Sequence, residues 1–436
     1  MHYLKVRNFE MEKNIIVITT LRINWKKYFR WLIGIGLGMT IAFVGFVASL
    51  SLWPSFGAHG ADLFRATFGD KAATSLESGI YGTEDAIRQW AYHFGWISSN
   101  LPAGPSVVGG TVSTATVLPP APGTTPTFTI TPTKSELPAV TSVLSSNSLK
   151  SPTSPSSAWS PGALVPLKMV QQEGSWSPYI KNSASQEVAA LTSFRPDPKR
   201  PYAVAAVVAF DLDHTQLHFV LGTTEPYSPN SLPRSGAIPK NDRGPGVLLA
   251  MFNGGFKARH GQFGAMSNGL VAIPARDGLA TLAINTKGKI QIGEWGVDIK
   301  TSPDWVAWRQ NGPLIIQNGA ITPKVYHPLP TDWGDSLGGT TPVWRSGIGL
   351  SADGKTLFYA CGPSLTIEAL ANSLLAVGSV NAMQLDINNY WVLFDAVHNN
   401  GTKLILTPLF PNQMNDNIDR YLWHYERDYF YVTNKP

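Results

Sequence analysis

One cysteine, Cys361, in 436 residues excludes an internal disulfide and any structural zinc centre of the multi-cysteine type. Stability must come from an apolar core, and the C-terminal stretch is long enough to build one. Unbalanced charge is also scarce. Residues 1–30 hold seven basic side chains (Lys5, Arg7, Lys13, Arg22, Lys26, Lys27, Arg30) against Glu10 and Glu12, which equals the whole chain's surplus of +5. The rest is neutral, so composition offers no basic patch on a folded body, and no nucleic-acid partner is expected. The sequence also lacks G-x-S-x-G, H-E-x-x-H, a Walker loop and an EF-hand loop. No repeat of solenoid period is visible.

Uncharged sequence is what the chain does have. Residues 31–53 (WLIGIGLGMTIAFVGFVASLSLW) carry no charge, and at ~1.5 Å per residue they span the roughly 30 Å hydrocarbon core of a bilayer. Trp31 and Trp53 stand at its two ends, where amphipathic rings suit the interface. Lys26, Lys27 and Arg30 precede the run, while Asp62, Arg65, Asp70 and Lys71 cancel after it. The positive-inside rule predicts a cytoplasmic tail over 1–30, a transmembrane helix over 31–53 in contact with lipid, and an extracytoplasmic remainder: a single-pass membrane protein. Ala58-His59-Gly60 loosely resembles a signal cleavage site. The long basic leader and long apolar run exceed signal-peptide dimensions, which favours an uncleaved anchor.

Residues 54–100 read as a juxtamembrane helical segment. Gly82-Thr83-Glu84-Asp85 has the form of a helix start, with Thr83 as cap. Ile87, Trp90, Ala91 and Phe94 follow on one face, which suits either a spacer or an interaction surface. From 101 to 166 the chain turns to Ser, Thr, Pro and Gly, too polar to offset chain entropy, and reads as a disordered linker. Residues 167–436 form the distal domain. Short apolar runs at 202–210, 217–221 and 247–252 read as strands. Thr286-Lys287-Gly288 and Asp353-Gly354 mark two hairpins. Thr366 caps a helix whose apolar stripe is Ile367, Leu370, Leu374 and Leu375 and which ends at Gly378; a strand over 382–385 then leads to Asp386. The expected class is α+β, a large mixed, curved β-sheet with few helices.

Three clusters at strand ends carry possible chemistry. Asn253-Gly254-Gly255 combines an amide that can donate and accept with backbone able to approach a ligand closely; a tight turn with a capping Asn is the alternative. Arg345, entering a strand, can offer a guanidinium fork to two phosphate or carboxylate oxygens, or form a surface ion pair. Asp386, at the end of a buried-looking strand, can serve as base, nucleophile or metal ligand, or hold its turn through backbone N–H groups.

In order, these clusters join Asn-Gly-Pro-Leu-Ile-Ile at 311–316, Asp-Gly-Lys at 353–355, a Leu-Thr-x-Glu-x-Leu helix at 365–370 and Ala-Met-Gln-Leu-Asp ending at Asp386. Six motifs in this order, over roughly 204–406, resemble the phosphodiester glycosidase domain family. The resemblance implies a sugar 1-phosphodiester or related cell-envelope glycan as partner. On that reading Asp386 and Arg345 are catalytic, and Asn253, Gly254, Gly255 and Glu368 bind the substrate; Asn388 and Asn389 in the turn after Asp386, and His260 in a basic loop, are added as substrate-binding candidates from the residues themselves. No cofactor is required and the metal is left open. Glu368 also has a structural reason as an acid in a first helical turn, and His260 is either a proton donor or solvated. Family members follow the aspartate with Gly-Gly-Gly-Ser, whereas Ile387-Asn388-Asn389-Tyr390 stands here. That removes backbone freedom where a phosphate can sit against N–H groups. A non-catalytic glycan-binding module, using Tyr390, Trp391, Trp423 and Tyr425, is the alternative.

Overall fold

The structure, a computed structural model, describes residues 63–97, 159–165 and 174–435 except 230–233, 330, 335–338, 400–402, 412 and 415–416, together with 38, 60 and 114–115. Residues 61–436 make one compact unit and residues 1–60 another. The apolar run at 31–53, apart from residue 38, and most of the linker lie outside the described residues. Among the described residues no helix is long and apolar enough to cross a membrane.

The domain is mostly β. Among the described residues three sheets replace the single large mixed sheet expected from sequence, and the strand pairings in them are antiparallel. The strands 205–211 and 356–365 are buried along their whole length, because their eight-stranded sheet is covered on both faces. On one side it meets the six-stranded sheet across a core that includes Phe210, Phe252, Tyr359, Phe394 and Phe430. On the other lies the helix Ile367–Ala376 with Trp333. Coverage on both faces explains why these strands read as continuous apolar runs rather than alternating ones. The Phe252 ring lies 4.7 Å from Tyr359, 5.6 Å from Phe430 and 6.0 Å from Phe394, so truncating it to Ala would cost about 3–5 kcal/mol.

Local signals are met where they were strongest. Gly288 and Gly354 take φ of 74° and 71° in the two hairpin turns. Thr366 Oγ1 accepts from Ala369 N at 3.1 Å, and Gly378 follows the helix with φ 86°. One boundary differs. The N-terminal helix, α1 (Asp70–His93), runs straight through Gly82 and Thr83 rather than starting there; Thr83 Oγ1 donates back to Gly79 O at 2.7 Å, which is available only inside a helix. Upstream of residue 167, Trp159 and Leu164 pack on the helix side of the large sheet, and Val165 N donates to Ala376 O at 2.7 Å.

Candidate functional site

The strand Asn381–Ile387 of the eight-stranded sheet and the strand Leu248–Asn253 of the six-stranded sheet end side by side. Asp386 N donates to Gly254 O at 3.0 Å across the gap. Asn253 is the joint between them. Its Nδ2 donates to Ser346 Oγ (2.9 Å) and Gly254 O (3.0 Å), and its Oδ1 accepts from Tyr359 OH (2.8 Å). Ser346 Oγ in turn donates to Asp386 O at 2.7 Å. Asn253 therefore builds the loop from inside, with its amide engaged by protein groups.

The two glycines are explained by close approach. A Cβ on Gly254 would sit 2.1 Å from Asp428 Oδ2, and one on Gly255 would sit 2.9 Å from Arg309 Cζ. Asp428 accepts from Gly255 N (3.0 Å) and from Arg309 Nε (2.8 Å), and both side chains of this ion pair are fully buried. Arg309 Nη2 also donates to Phe256 O at 2.5 Å. Asn311, from the second motif, donates to Gln384 O (2.8 Å) and Leu385 O (3.1 Å) and accepts from Phe256 N (3.2 Å), tying the loop to the strand that carries Asp386.

Asp386 faces a cation that the sequence reading missed. Its Oδ2 accepts from Arg427 Nη2, and its Oδ1 from Ile387 N at 2.9 Å. Burial pushes the Asp386 carboxyl up, with Arg427 restraining the rise. Burial works against the Arg427 guanidinium, but the carboxylates of Asp386, Asp428 and Glu225 outweigh it and keep it charged. Arg427 Nη2 donates also to Gly255 O (2.9 Å), while its buried Nε has no acceptor among the described residues. Trp391 gathers further charge: Lys257 Nζ lies 4.7 Å and Arg427 Cζ 4.5 Å from its ring centroid, both within cation–π range. His260 closes the loop side. Burial, then Arg259, Arg65, Arg427 and Lys257, push its pKa down to about 3, so its imidazole is neutral at pH 7.

The turn after Asp386 keeps one left-handed residue, Asn388, with φ 81°. Its N donates to Trp344 O (3.0 Å), its O accepts from Trp391 N and Val392 N, and its Oδ1 accepts from Tyr390 N (3.0 Å). Arg420 holds the far side through Tyr390 O (2.8 Å) and Trp391 O (3.1 Å). Asn389 is half-buried within this turn.

Arg345 stands opposite Ile387 in the sheet, next to Asp386, but its guanidinium is taken up by other acceptors. The Arg345 guanidinium is fully buried and donates to Leu365 O (2.9 Å), Gln384 Oε1 (3.0 Å), Thr341 O (3.1 Å) and Trp333 O (3.2 Å). Burial lowers its pKa to about 9. Its fork knits the sheet to the Trp333 segment, and the guanidinium beside Asp386 belongs to Arg427. Glu368 is exposed in the first turn of the helix Ile367–Ala376. Arg427 has one sequence signal: Glu426-Arg427-Asp428 sets three charges directly before an otherwise buried strand. Among the described residues no group of three or more His, Cys, Asp and Glu side chains is placed to hold a metal.

Residues 247–386 match the sequence model of the phosphodiester glycosidase family. Solved structures that resemble the chain include the catalytic domain of zebrafish N-acetylglucosamine-1-phosphodiester alpha-N-acetylglucosaminidase, auto-inhibited by its pro-peptide, at 13% identity and TM-score 0.39, covering 61% of this chain and 89% of that one. Another is a hypothetical protein from Synechocystis, at 10% identity and TM-score 0.35, covering 61% of this chain and 68% of that one. No curated protein matches the sequence. Over residues 247–386, about a third of its length, the chain is similar to the phosphodiester glycosidase family.

Proposed function

We propose that the domain hydrolyses a sugar 1-phosphodiester, with Asp386 as base or nucleophile and Arg427 and Lys257 as the cations that receive the phosphate. The observation that carries this is a buried carboxylate at a strand end that Arg427 bonds, with Arg427 and Lys257 both against the Trp391 ring a few residues on. A phosphomonoester leaving group has a second pKa of about 6 and departs with little protonation. A single carboxylate with cations then suffices, where an ordinary glycoside generally needs two carboxyls. With Asp386 as base, water gives it a proton and adds to the anomeric carbon as the C1–O bond breaks; with Asp386 as nucleophile, its carboxylate adds first and water then cleaves the glycosyl ester. Either way the C1–O electron pair leaves on the phosphate oxygen. The neutral His260 is suited to accept a hydrogen bond rather than to act as an imidazolium acid. Arg345 acts here as a structural support of the strand rather than as a phosphate ligand.

The glycan-binding alternative needs open aromatic faces. Tyr425 is buried, and the Trp391 ring carries Lys257 and Arg427, which favours the enzyme. We place the domain outside a membrane on the strength of the uncharged run 31–53 and the basic residues before it. Alkaline carbonate extraction of the full chain tests the anchor: recovery in the soluble fraction refutes it. The activity is tested by sugar release from a panel of sugar 1-phosphodiesters. Wild type should turn over at least one, and Asp386→Asn none while keeping its fold. Turnover retained in that variant removes Asp386 from the mechanism, and wild type without turnover refutes the activity.

A further inference from the structure

The helix α1 stands well over a hundred residues upstream of the segment that matches the family, yet it reaches the candidate site. Its inner stripe is Ala73, Glu77, Tyr81, Asp85 and Tyr92, buried or half-buried. Leu76, Ile87, Trp90 and Phe94 on the other side are 37–55% exposed. Docking is polar and specific. Asp85 accepts from Arg200 Nε at 3.0 Å and from Tyr202 OH at 2.5 Å, and the Tyr92 and Tyr202 rings lie 6.1 Å apart. One turn earlier, the Tyr81 hydroxyl accepts from Asn388 Nδ2 at 3.2 Å. Arg65, just before α1, is paired with Glu77 at 2.6 Å and contributes to the charge felt by His260.

Asn388 is the residue on which the turn depends. It alone of 387–390 takes a left-handed φ, and it stands where the glycine-rich pattern supplies a residue free to do so. An asparagine there tolerates the conformation but does not enforce it. A partner on its amide, bound in that conformation only, does enforce it.

We propose that α1 is a working part of the site and that Tyr81 is a positioning residue. Docked through Asp85, α1 holds Asn388 and thereby sets the turn that carries Asp386 at one end and Trp391 at the other. The catalytic consequence rests on the phosphodiester glycosidase reading above, whereas the structural consequence does not.

The test uses the full chain, with Tyr81→Phe to remove the hydroxyl and Asp85→Ala to release α1, read by amide exchange over 387–391 without ligand and by kcat and KM on a sugar 1-phosphodiester. Loss of a neutral hydrogen bond of ordinary strength predicts exchange faster by roughly five-fold in Tyr81→Phe, and more in Asp85→Ala, with a melting temperature lowered by only a few degrees in Tyr81→Phe. It predicts kcat lower by about five-fold in Tyr81→Phe, with KM within about two-fold of wild type. Exchange over 387–391 unchanged in both variants overturns the proposal. So does turnover that rises when α1 is released, because α1 is then an obstruction rather than a support. If wild type turns over no phosphodiester, the activity reading fails and exchange alone decides the role of α1.

Discussion

Replacing Arg309 by Met should cost about 3–5 kcal/mol of stability, the usual penalty for removing one partner of a buried ion pair. The guanidinium donates to Asp428 (2.8 Å), Phe256 O (2.5 Å) and Gln310 O (2.9 Å), and both charged side chains are fully buried. Methionine fills much of the volume but makes none of these bonds. Among the described residues the Asp428 carboxylate then keeps Gly255 N at 3.0 Å as its hydrogen-bond donor, too little to compensate a buried carboxylate. Against a total stability of about 5–15 kcal/mol, the loss moves the protein well toward unfolding. Urea denaturation followed by tryptophan fluorescence should show the midpoint falling with the slope unchanged. Adding Asp428→Asn to Arg309→Met should restore part of the loss, because the amide keeps an acceptor for Gly255 N and removes the unpaired charge. A single-variant loss below about 1 kcal/mol, or a double variant that loses the sum of both singles, would refute the claim that charge compensation holds the Gly254-Gly255 loop.

At His260 the unfolded chain binds a proton near 6.5, whereas the folded chain resists until about 3. Stability therefore falls as pH drops across that window, and His260→Gln should flatten this part of the pH–stability curve; NMR should find the imidazole neutral at pH 5. Asn388→Ala should cost about 1–2 kcal/mol for its left-handed backbone, more than Asn388→Gly in the same denaturation assay. Equal losses would mean that side-chain bonds, not φ, set the cost. Lys257→Met should raise KM for an anionic substrate several-fold, by roughly the strength of a charge-assisted hydrogen bond, and reduce the dependence of KM on salt. An unchanged salt dependence would take Lys257 out of phosphate recognition.

What the sequence made legible was local. The hairpins at Gly288 and Gly354, the cap at Thr366 and the strand ending at Asp386 each depend on neighbours a few residues away, so their signals survive in the one-dimensional pattern. Partition into three sheets depends on pairings such as 252 with 430 and 217 with 432, which alternation alone does not specify. The site's electrostatics are just as distant in sequence: Arg427 is 41 residues from Asp386, and Asp428 is 119 from Arg309. Arg345 illustrates the converse. Its position entering a strand suggested a phosphate fork, but an arginine satisfied by carbonyl oxygens is indistinguishable in sequence from one facing a ligand. The docking of α1 was hidden for a similar reason, since its exposed apolar stripe dominates the helical periodicity and its buried stripe is polar.

The turn after Asp386 shows how the departure from the glycine-rich pattern alters the chemistry. A run of glycines leaves backbone N–H groups able to converge on an anion. In this chain Ile387 N is bonded to Asp386 Oδ1, Asn388 N to Trp344 O, Tyr390 N to Asn388 Oδ1, and Trp391 N and Val392 N to Asn388 O. On the proposed function, with those donors engaged internally, a phosphate would be met chiefly by side chains, and Lys257 and Arg427 at Trp391 are the cations placed for it. Lysine and arginine reach a phosphate through long side chains that must be ordered, whereas a backbone cradle is already fixed. The supports around the turn answer that need: Arg420 on the carbonyls of Tyr390 and Trp391, Trp391 beneath the two cations, and Tyr81 on Asn388. Order lost with the glycines is thus supplied by bonds from three separate parts of the chain, and each bond can be removed singly by one substitution.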